Sequence, residues 1–219
     1  MGELFANFVR ALPKSFQVEV VRYPPDSCRT YAEVATFLCT NGLDREPLVV
    51  LAESFSVPAA IAWAATSPPN LRGLILCGGC ASSPLPGWLR FFYSLAPRFA
   101  LRQPRSSLGI RCLLVGMDAV PSLVSQVKTV IASLDRSVMR ARLQAISACD
   151  ARAEFAALTL PILLLHAKQD RLIGRAKLSE MRTLQPAAAV ELLDGPHLLL
   201  QREPQKTARL VAHFIQRVL

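Results

Sequence analysis

A serine, an aspartate and a histidine follow one another along the chain, each shortly after an apolar run typical of a buried strand. Ser54 follows LVVL, Asp170 follows PILLLHAKQ, and His197 follows VELLDGP. A serine hydroxyl is a weak nucleophile at neutral pH, because it needs an imidazole to accept its proton and a carboxylate to orient and stabilise that imidazole. The order therefore predicts Ser54 as nucleophile, Asp170 as acid and His197 as base in the cleavage of an acyl bond.

The residues around Ser54 fit the sharp strand-to-helix turn that presents a nucleophile. In this turn, usually written G-x-S-x-G, the residues two before and two after the serine must be small enough to avoid the adjoining backbone. Ala52 and Ser56 meet this demand, although neither is glycine. The pentapeptide alone also fits an ordinary serine in a strand-to-helix loop. The order of the three residues, each after a predicted strand, favours the nucleophile.

Other polar residues near these positions have alternative interpretations. Asp150 precedes the return to the predicted sheet and is an alternative to Asp170 as the acid. His166 ends a predicted core strand, where a packing or hydrogen-bonding role is expected rather than a role as base. Glu53 adjoins the serine, but its side chain is expected to point away from the reacting centre. His213 falls on the last predicted helix and is expected to face solvent.

The cysteines and glycines predict no cofactor and no metal. Cys77-Gly-Gly-Cys80 is a C-x-x-C pair, but no second pair and no further ligands of zinc-site spacing follow it. A chain of 219 residues with six cysteines has no dense disulfide framework, so buried thiols are expected. No glycine-rich loop of the kind that holds phosphates is found.

The periodicity of apolar residues predicts strands that alternate with helices. The strands are predicted at 16–22, 48–51, 72–77, 161–166 and 188–193, and the helices at 3–12, 57–66 and 203–218. One further helix begins at a capping box formed by Thr30 and Glu33 and stops at Asn41-Gly42. This alternation predicts an α/β fold, a mostly parallel sheet flanked by helices, in a single domain over residues 1–219.

The alternation breaks once, between the strands at 72–77 and 161–166. Within 121–149 the apolar residues recur at steps of three and four, as in amphipathic helices, and the short run 112–115 favours helix over strand. A connection this long needs structure of its own. The sequence therefore predicts a helical cap over residues 82–152, inserted into a core of 1–81 and 153–219.

Composition and charge exclude several classes of protein. The chain is 52% hydrophobic and 19% charged, which predicts an ordered globule. Its net charge is +9, but the arginines are scattered without the interleaved aromatic residues of a nucleic-acid surface, so no nucleic-acid partner is predicted. A basic rim could attract an acidic substrate or an acidic carrier protein. Proline or glycine interrupts the long apolar runs and no signal peptide is recognised, so no membrane span and a cytoplasmic location are expected.

The motifs LAESFS, HAKQDRLI and DGPHLLLQREP resemble those of capped bacterial carboxylesterases of the α/β-hydrolase superfamily. The resemblance, which covers nearly all of the chain, is to the pimeloyl carrier-protein methyl ester esterases among others. It implies a carboxylesterase that acts through an acyl-enzyme on Ser54, with Asp170 as acid, His197 as base and the Phe55 amide as one oxyanion donor. Apolar residues of the predicted cap favour a short to medium acyl chain. The substrate would be a small ester, and no cofactor would be needed.

One departure from the family concerns the amino-terminal part. The family has a central strand and an HG-like loop ahead of the first helix, and that loop donates the second oxyanion amide. Neither is recognised before the helix at 3–12. Met1 is therefore expected to be an internal methionine or the result of truncation. The expected cytoplasmic location depends on that missing part, which could contain a signal peptide. Two alternatives stay open. One is a non-catalytic or truncated α/β-hydrolase-like protein, and the other is a thioesterase or carbon–carbon hydrolase on the same scaffold.

Overall fold

Four parallel strands form the sheet that carries the candidate site. The computed structural model describes residues 2–24, 26–40, 47–85 and 106–219. The strands are β1 (Leu48–Glu53), β2 (Leu71–Cys77), β3 (Ile162–Ala167) and β4 (Ala189–Leu193). They pair in the order β1-β2-β3-β4, and all three pairings are parallel. The predicted fold class is therefore confirmed, and four of the five predicted strands form.

Helices connect and cover these strands. A 3₁₀ turn at Gly2–Phe5 leads into α1, and a π-helical turn at Arg111–Val115 follows α4. The helices are α1 (Ala6–Ala11), α2 (Tyr31–Thr40), α3 (Ser56–Ala64), α4 (Ser107–Ile110), α5 (Pro121–Ser133), α6 (Arg136–Ala148), α7 (Arg152–Ala157), α8 (Arg175–Leu184), α9 (Leu199–Arg202) and α10 (Pro204–Val218).

Each face of the sheet is buried against a different set of helices. Successive side chains of a strand point to opposite faces, so neighbouring leucines of β3 enter different cores. Leu164 packs with Ile61 and Phe155, from α3 and α7. Leu165 packs with Phe8 and Val211, from α1 and α10. Burial on both faces explains why β3 and most of β2 are continuous apolar runs rather than alternating ones.

The predicted start of α2 is confirmed at the level of single hydrogen bonds. Thr30 Oγ1 accepts a hydrogen bond from the Glu33 amide at 3.2 Å, and Glu33 Oε2 accepts one from the Arg29 amide at 3.0 Å. These bonds satisfy backbone donors that the first turn of a helix leaves free. The predicted stop at Asn41-Gly42 lies outside the described residues.

The strand predicted at 16–22 is wrong. These residues form no regular secondary structure, and Val18 and Val21 are 43% and 37% exposed. Among the described residues β1 pairs only with β2, and residues 16–22 do not pair with its other edge. Alternating apolar residues favour a strand only where a neighbouring strand and a buried face receive them.

The connection between β2 and β3 contains α4, the π-helical turn, α5 and α6. The helix favoured at 112–115 is confirmed in helical, though π-type, form. Val124 and Val127 of α5 are buried in a cluster that also contains Leu198, the residue after His197. An antiparallel bridge between Ser82 and Asp150 joins the two ends of this segment. Residues 86–105 lie outside the described part, and the division into core and cap remains a prediction.

Candidate active site

Ser54 occupies a strained turn between β1 and α3. Its φ angle is +54°, a conformation that side chains other than glycine rarely adopt. Hydrogen bonds on both sides hold the turn, since the Ser54 amide donates to the Cys77 carbonyl at 2.9 Å and the Val57 amide donates to the Ser54 carbonyl at 3.0 Å. The turn therefore has the backbone geometry of a nucleophile elbow.

His197 lies against Ser54, although 143 positions separate the two residues. The distance from Ser54 Oγ to His197 Nε2 is 2.8 Å, and the histidine side chain is only 2% exposed. The loop after β4 brings the imidazole there, and the Leu198 amide anchors this loop by donating to the Leu114 carbonyl at 2.9 Å. The segment between β2 and β3 thus supports the position of the histidine.

Asp170 completes a continuous row of hydrogen bonds. Its Oδ2 lies 2.8 Å from His197 Nδ1, and its Oδ1 accepts hydrogen bonds from the Leu172 and Ile173 amides at 2.8 and 2.9 Å. Burial alone raises the pKa of this carboxyl, but the hydrogen bonds from His197 and from the two amides outweigh burial, and the net pKa is lowered. Asp170 is therefore ionised at neutral pH, as an acid that orients an imidazole must be.

Gly78 permits the end of β2 to pass close to the histidine and the aspartate. Its φ is +54°, and a Cβ atom there would lie 3.3 Å from the His197 carbonyl oxygen and 3.7 Å from Asp170 Oδ2. Sequence reasoning treated this glycine only as part of the C-x-x-C pair. Burial raises the pKa of the Cys77 thiol well above its usual value and that of Cys80 to about 12, so both thiols are neutral.

Glu53 and Gln201 form a buried polar pair beside the serine that the sequence did not indicate. Gln201 Nε2 donates to Glu53 Oε2 at 2.9 Å, whereas Glu53 Oε1 and Gln201 Oε1 are buried without a hydrogen-bond partner among the described residues. Burial raises the pKa of Glu53 to about 7, against the opposing effect of the hydrogen bond from Gln201. The carboxyl group therefore changes charge near neutral pH, one residue from Ser54.

The other polar residues considered in the sequence lie outside the row of hydrogen bonds that joins Ser54, His197 and Asp170. Asp150 pairs with Arg152 at 2.7 Å and is 52% exposed, and the place next to His197 is occupied by Asp170. His166 is buried at the end of β3, and burial lowers its pKa. His213 is exposed on α10, as expected. Ser54, Asp170 and His197 are the candidates that the fold brings together.

Neither a metal site nor a membrane span is found in the part of the chain that the structure describes. No group of three or more histidine, cysteine, aspartate or glutamate side chains is placed there to hold an ion. No helix in those residues has the length and apolarity needed to cross a bilayer.

A parallel sheet followed by a strained serine turn, with an aspartate and a histidine in loops after later strands, defines an α/β-hydrolase. Residues 25–199 match the family described as serine aminopeptidase, S33, and the chain belongs to that family. The predicted membership of the α/β-hydrolase superfamily is thereby confirmed. No curated protein matches the chain in sequence.

Solved structures show the same fold in proteins of different chemistry. An esterase from Exiguobacterium antarcticum superimposes with a TM-score of 0.82 at 14% identity, over 98% of this chain and 87% of the esterase. A bromoperoxidase from Bacillus anthracis gives 0.79 at 13% identity, over 98% and 87%. An enol-lactonase from Burkholderia xenovorans LB400 gives 0.74 at 19% identity, over 98% and 86%. At these identities the likeness concerns the fold alone.

Proposed function

We propose that this hydrolase is a carboxylesterase that cleaves esters of short to medium acyl chains through an acyl-enzyme on Ser54. The observation that carries the proposal is the row of hydrogen bonds from Ser54 Oγ through His197 to Asp170, with both distances at 2.8 Å. A serine in a strained turn, an imidazole within reach of its proton and an ionised carboxylate behind the imidazole together activate a hydroxyl group.

The reaction proceeds in two displacements. His197 Nε2 accepts the proton of Ser54 Oγ as the oxygen attacks the ester carbonyl, and the imidazolium then returns that proton to the departing alcohol. Water attacks the acyl-enzyme with His197 again accepting a proton, and the acid is released as Ser54 regains its hydrogen. The charge on the imidazolium is stabilised in both steps by the Asp170 carboxylate.

The Phe55 amide stabilises the tetrahedral intermediate. It follows Ser54 at the start of α3, and among the described residues it donates no hydrogen bond to the protein. A free amide at this place can donate to an oxyanion, and removing one such donor typically costs about 10²–10³ in rate. This supports acyl transfer rather than a purely binding role.

Esters are proposed over amides and other substrates, partly because of what proteins of the same fold act on. The named relatives of this fold include an esterase and an enol-lactonase, while a bromoperoxidase and the serine aminopeptidase description of the family indicate other substrates. An alcohol is a better leaving group than an amine, so an ester demands less stabilisation of the transition state than an amide from a site whose proposed oxyanion donor is the Phe55 amide.

Hydrolysis of p-nitrophenyl acetate and butyrate by the wild type, Ser54→Ala and Ser133→Ala tests the proposal. Ser133 is an exposed serine at the end of α5 and serves as the matched control. We expect Ser54→Ala to lose roughly 10³-fold or more of kcat/KM and Ser133→Ala to retain it. Equal rates in all three proteins would overturn the proposal, and selective hydrolysis of an aminoacyl p-nitroanilide would replace the ester class with an amide class.

A further inference from the structure

Arg142 places a buried positive charge next to the proposed nucleophile turn. It lies on α6 and is 8% exposed, and its Nε donates to the Cys28 carbonyl at 3.1 Å. Two aromatic rings border the guanidinium, whose central carbon lies 5.6 Å from the ring centroid of Tyr23 and 5.1 Å from that of Phe55. These contacts hold the group in place, because an arginine over an aromatic face is attracted to it.

No described residue balances this charge. Arg142 forms no ion pair among the described residues, and its Nη2 is buried without a hydrogen-bond partner. The titratable groups that act on it are Cys28 and Tyr23, and burial raises the pKa of both, so both are neutral. An unpaired charge in a protein interior is costly, and such departures from the usual rules are expected at functional sites.

The nearby carboxylate of Glu33 does not fill this role. Glu33 acts on Cys28, but its Oε1 accepts a hydrogen bond from Thr30 Oγ1 at 3.2 Å and its Oε2 accepts one from the Arg29 amide. Both oxygens are therefore committed to the start of α2. Among the described residues Nη2 of Arg142 therefore keeps a donor that no carboxylate uses.

The position of Arg142 connects that donor to the substrate. Phe55, whose ring borders the guanidinium, directly follows Ser54 and carries the proposed oxyanion amide. The hydroxyl group of Tyr23, whose ring also contacts the guanidinium, donates a hydrogen bond to Ser56 Oγ at 2.9 Å. Arg142 thus contacts one side chain of the turn, Phe55, and a tyrosine that is hydrogen-bonded to Ser56, so a group bound there can belong to the same molecule that Ser54 attacks.

We propose that Arg142 binds a carboxylate group of the substrate, and that the preferred substrates are half esters of dicarboxylic acids. This inference rests on the proposed esterase function. The planar guanidinium can donate two parallel hydrogen bonds to a carboxylate, a geometry that a lysine ammonium does not match. A carboxylate on the acyl chain stays in the acyl-enzyme, so the contact with Arg142 persists through both displacements.

Matched pairs of substrates test the assignment. Monoethyl adipate and ethyl hexanoate differ chiefly in a terminal carboxylate in place of a methyl group, and acid release from each is followed by titration at constant pH. The proteins are the wild type, Arg142→Met, Arg142→Lys and Arg136→Met, where Arg136 is an exposed arginine on the same helix. We expect the wild type to favour the half ester in kcat/KM.

In Arg142→Met the ratio of kcat/KM for the half ester to that for the neutral ester should fall about 10- to 100-fold, the range of one charge-assisted pair. Arg142→Lys should recover part of the ratio, and Arg136→Met should keep it. An unchanged ratio in Arg142→Met would overturn the inference. If that variant does not fold, the wild-type ratio is the test. A wild type that does not favour the half ester in kcat/KM would also overturn the inference.

A binding measurement separates this inference from the proposed function. In Ser54→Ala, adipate should raise the melting temperature more than hexanoate at equal concentration, and the difference should disappear when Arg142→Met is added. This result would support the carboxylate site even if the wild type hydrolysed no ester. Equal effects of adipate and hexanoate would overturn it, whatever the esterase assay shows.

Discussion

The loops after the strands and the segment 13–24 differ in what their neighbours offer them. After β1, β3 and β4, each polar atom of Ser54, His197 and Asp170 that the mechanism uses has a partner at 2.8 or 2.9 Å. The segment 13–24 has no regular structure, although residues 16–22 within it alternate as in a strand, and Val18 and Val21 remain exposed. Pairing with a neighbour, rather than local pattern, decides which of these described stretches take a fixed set of contacts.

The same contrast separates two parts of the proposed catalytic apparatus. The proton-transfer part rests on loops that two buried cores support, and those cores include both faces of β3. The oxyanion part rests on the Phe55 amide, at the junction of β1 and α3. Substitutions in one region, with matched controls elsewhere, measure how much each region contributes to activity and to stability.

The largest effect is expected from Asp170→Asn. The change keeps the shape of the side chain but removes the charge that stabilises the His197 imidazolium and fixes its tautomer, so kcat should fall about 10³–10⁴-fold. Steady-state hydrolysis of p-nitrophenyl butyrate measures this. Asp194→Asn is the control, because Asp194 is an exposed residue after β4 that pairs with Lys168 at 3.1 Å. Near-normal activity in Asp170→Asn would contradict the assigned acid.

Two substitutions compare the stability that β3 and the segment 13–24 contribute, and their effects should be smaller. Leu165→Ala removes a side chain that is 1% exposed in β3 and should lower the free energy of unfolding by about 2–5 kcal/mol. Val18→Ala removes one that is 43% exposed, and a change within about 0.5 kcal/mol is expected. Urea denaturation measures both. A loss above about 1.5 kcal/mol in Val18→Ala would mean that the segment packs as a strand after all.

The smallest effect concerns Glu53 and depends on pH. Its pKa is raised from 4.5 to about 7, so between these values the native state holds a proton that the unfolded chain has lost. Stability from this group is therefore present below pH 4.5 and is lost as pH rises through 7. From pH 5 to 8, Glu53→Gln should gain about 1–3 kcal/mol of stability relative to the wild type. Parallel pH profiles of the two proteins would contradict this.

Much of the sheet and of the site could be predicted because their signals are local. Apolar runs bounded by turn residues predicted β1 to β4, and the Thr30 and Glu33 pair predicted the start of α2. The position of Ser54, Asp170 and His197 after such runs was enough to bring them to one edge of a parallel sheet, because the carboxyl ends of parallel strands share that edge.

The features that sequence reasoning missed depend on contacts between distant residues. The pair of Glu53 and Gln201 joins β1 to α9, and Arg142 meets Cys28 across 114 positions. No spacing in the sequence signals such pairs. Gly78 was visible as a glycine, but the need for it arises only where β2 passes His197. The prediction of a strand at 16–22 is wrong for the opposite reason, since its local pattern is clear but no strand among the described residues pairs with it.

Covalent labelling tests the central claim, that His197 activates Ser54 as a nucleophile. The wild type and His197→Ala are incubated with a fluorophosphonate, and the modified residue is located by peptide mass spectrometry. We predict one adduct per wild-type chain, on Ser54, and a strong loss of labelling in His197→Ala, because the serine then lacks its base. Labelling at another residue, or equal labelling of Ser54 without the histidine, would contradict the account.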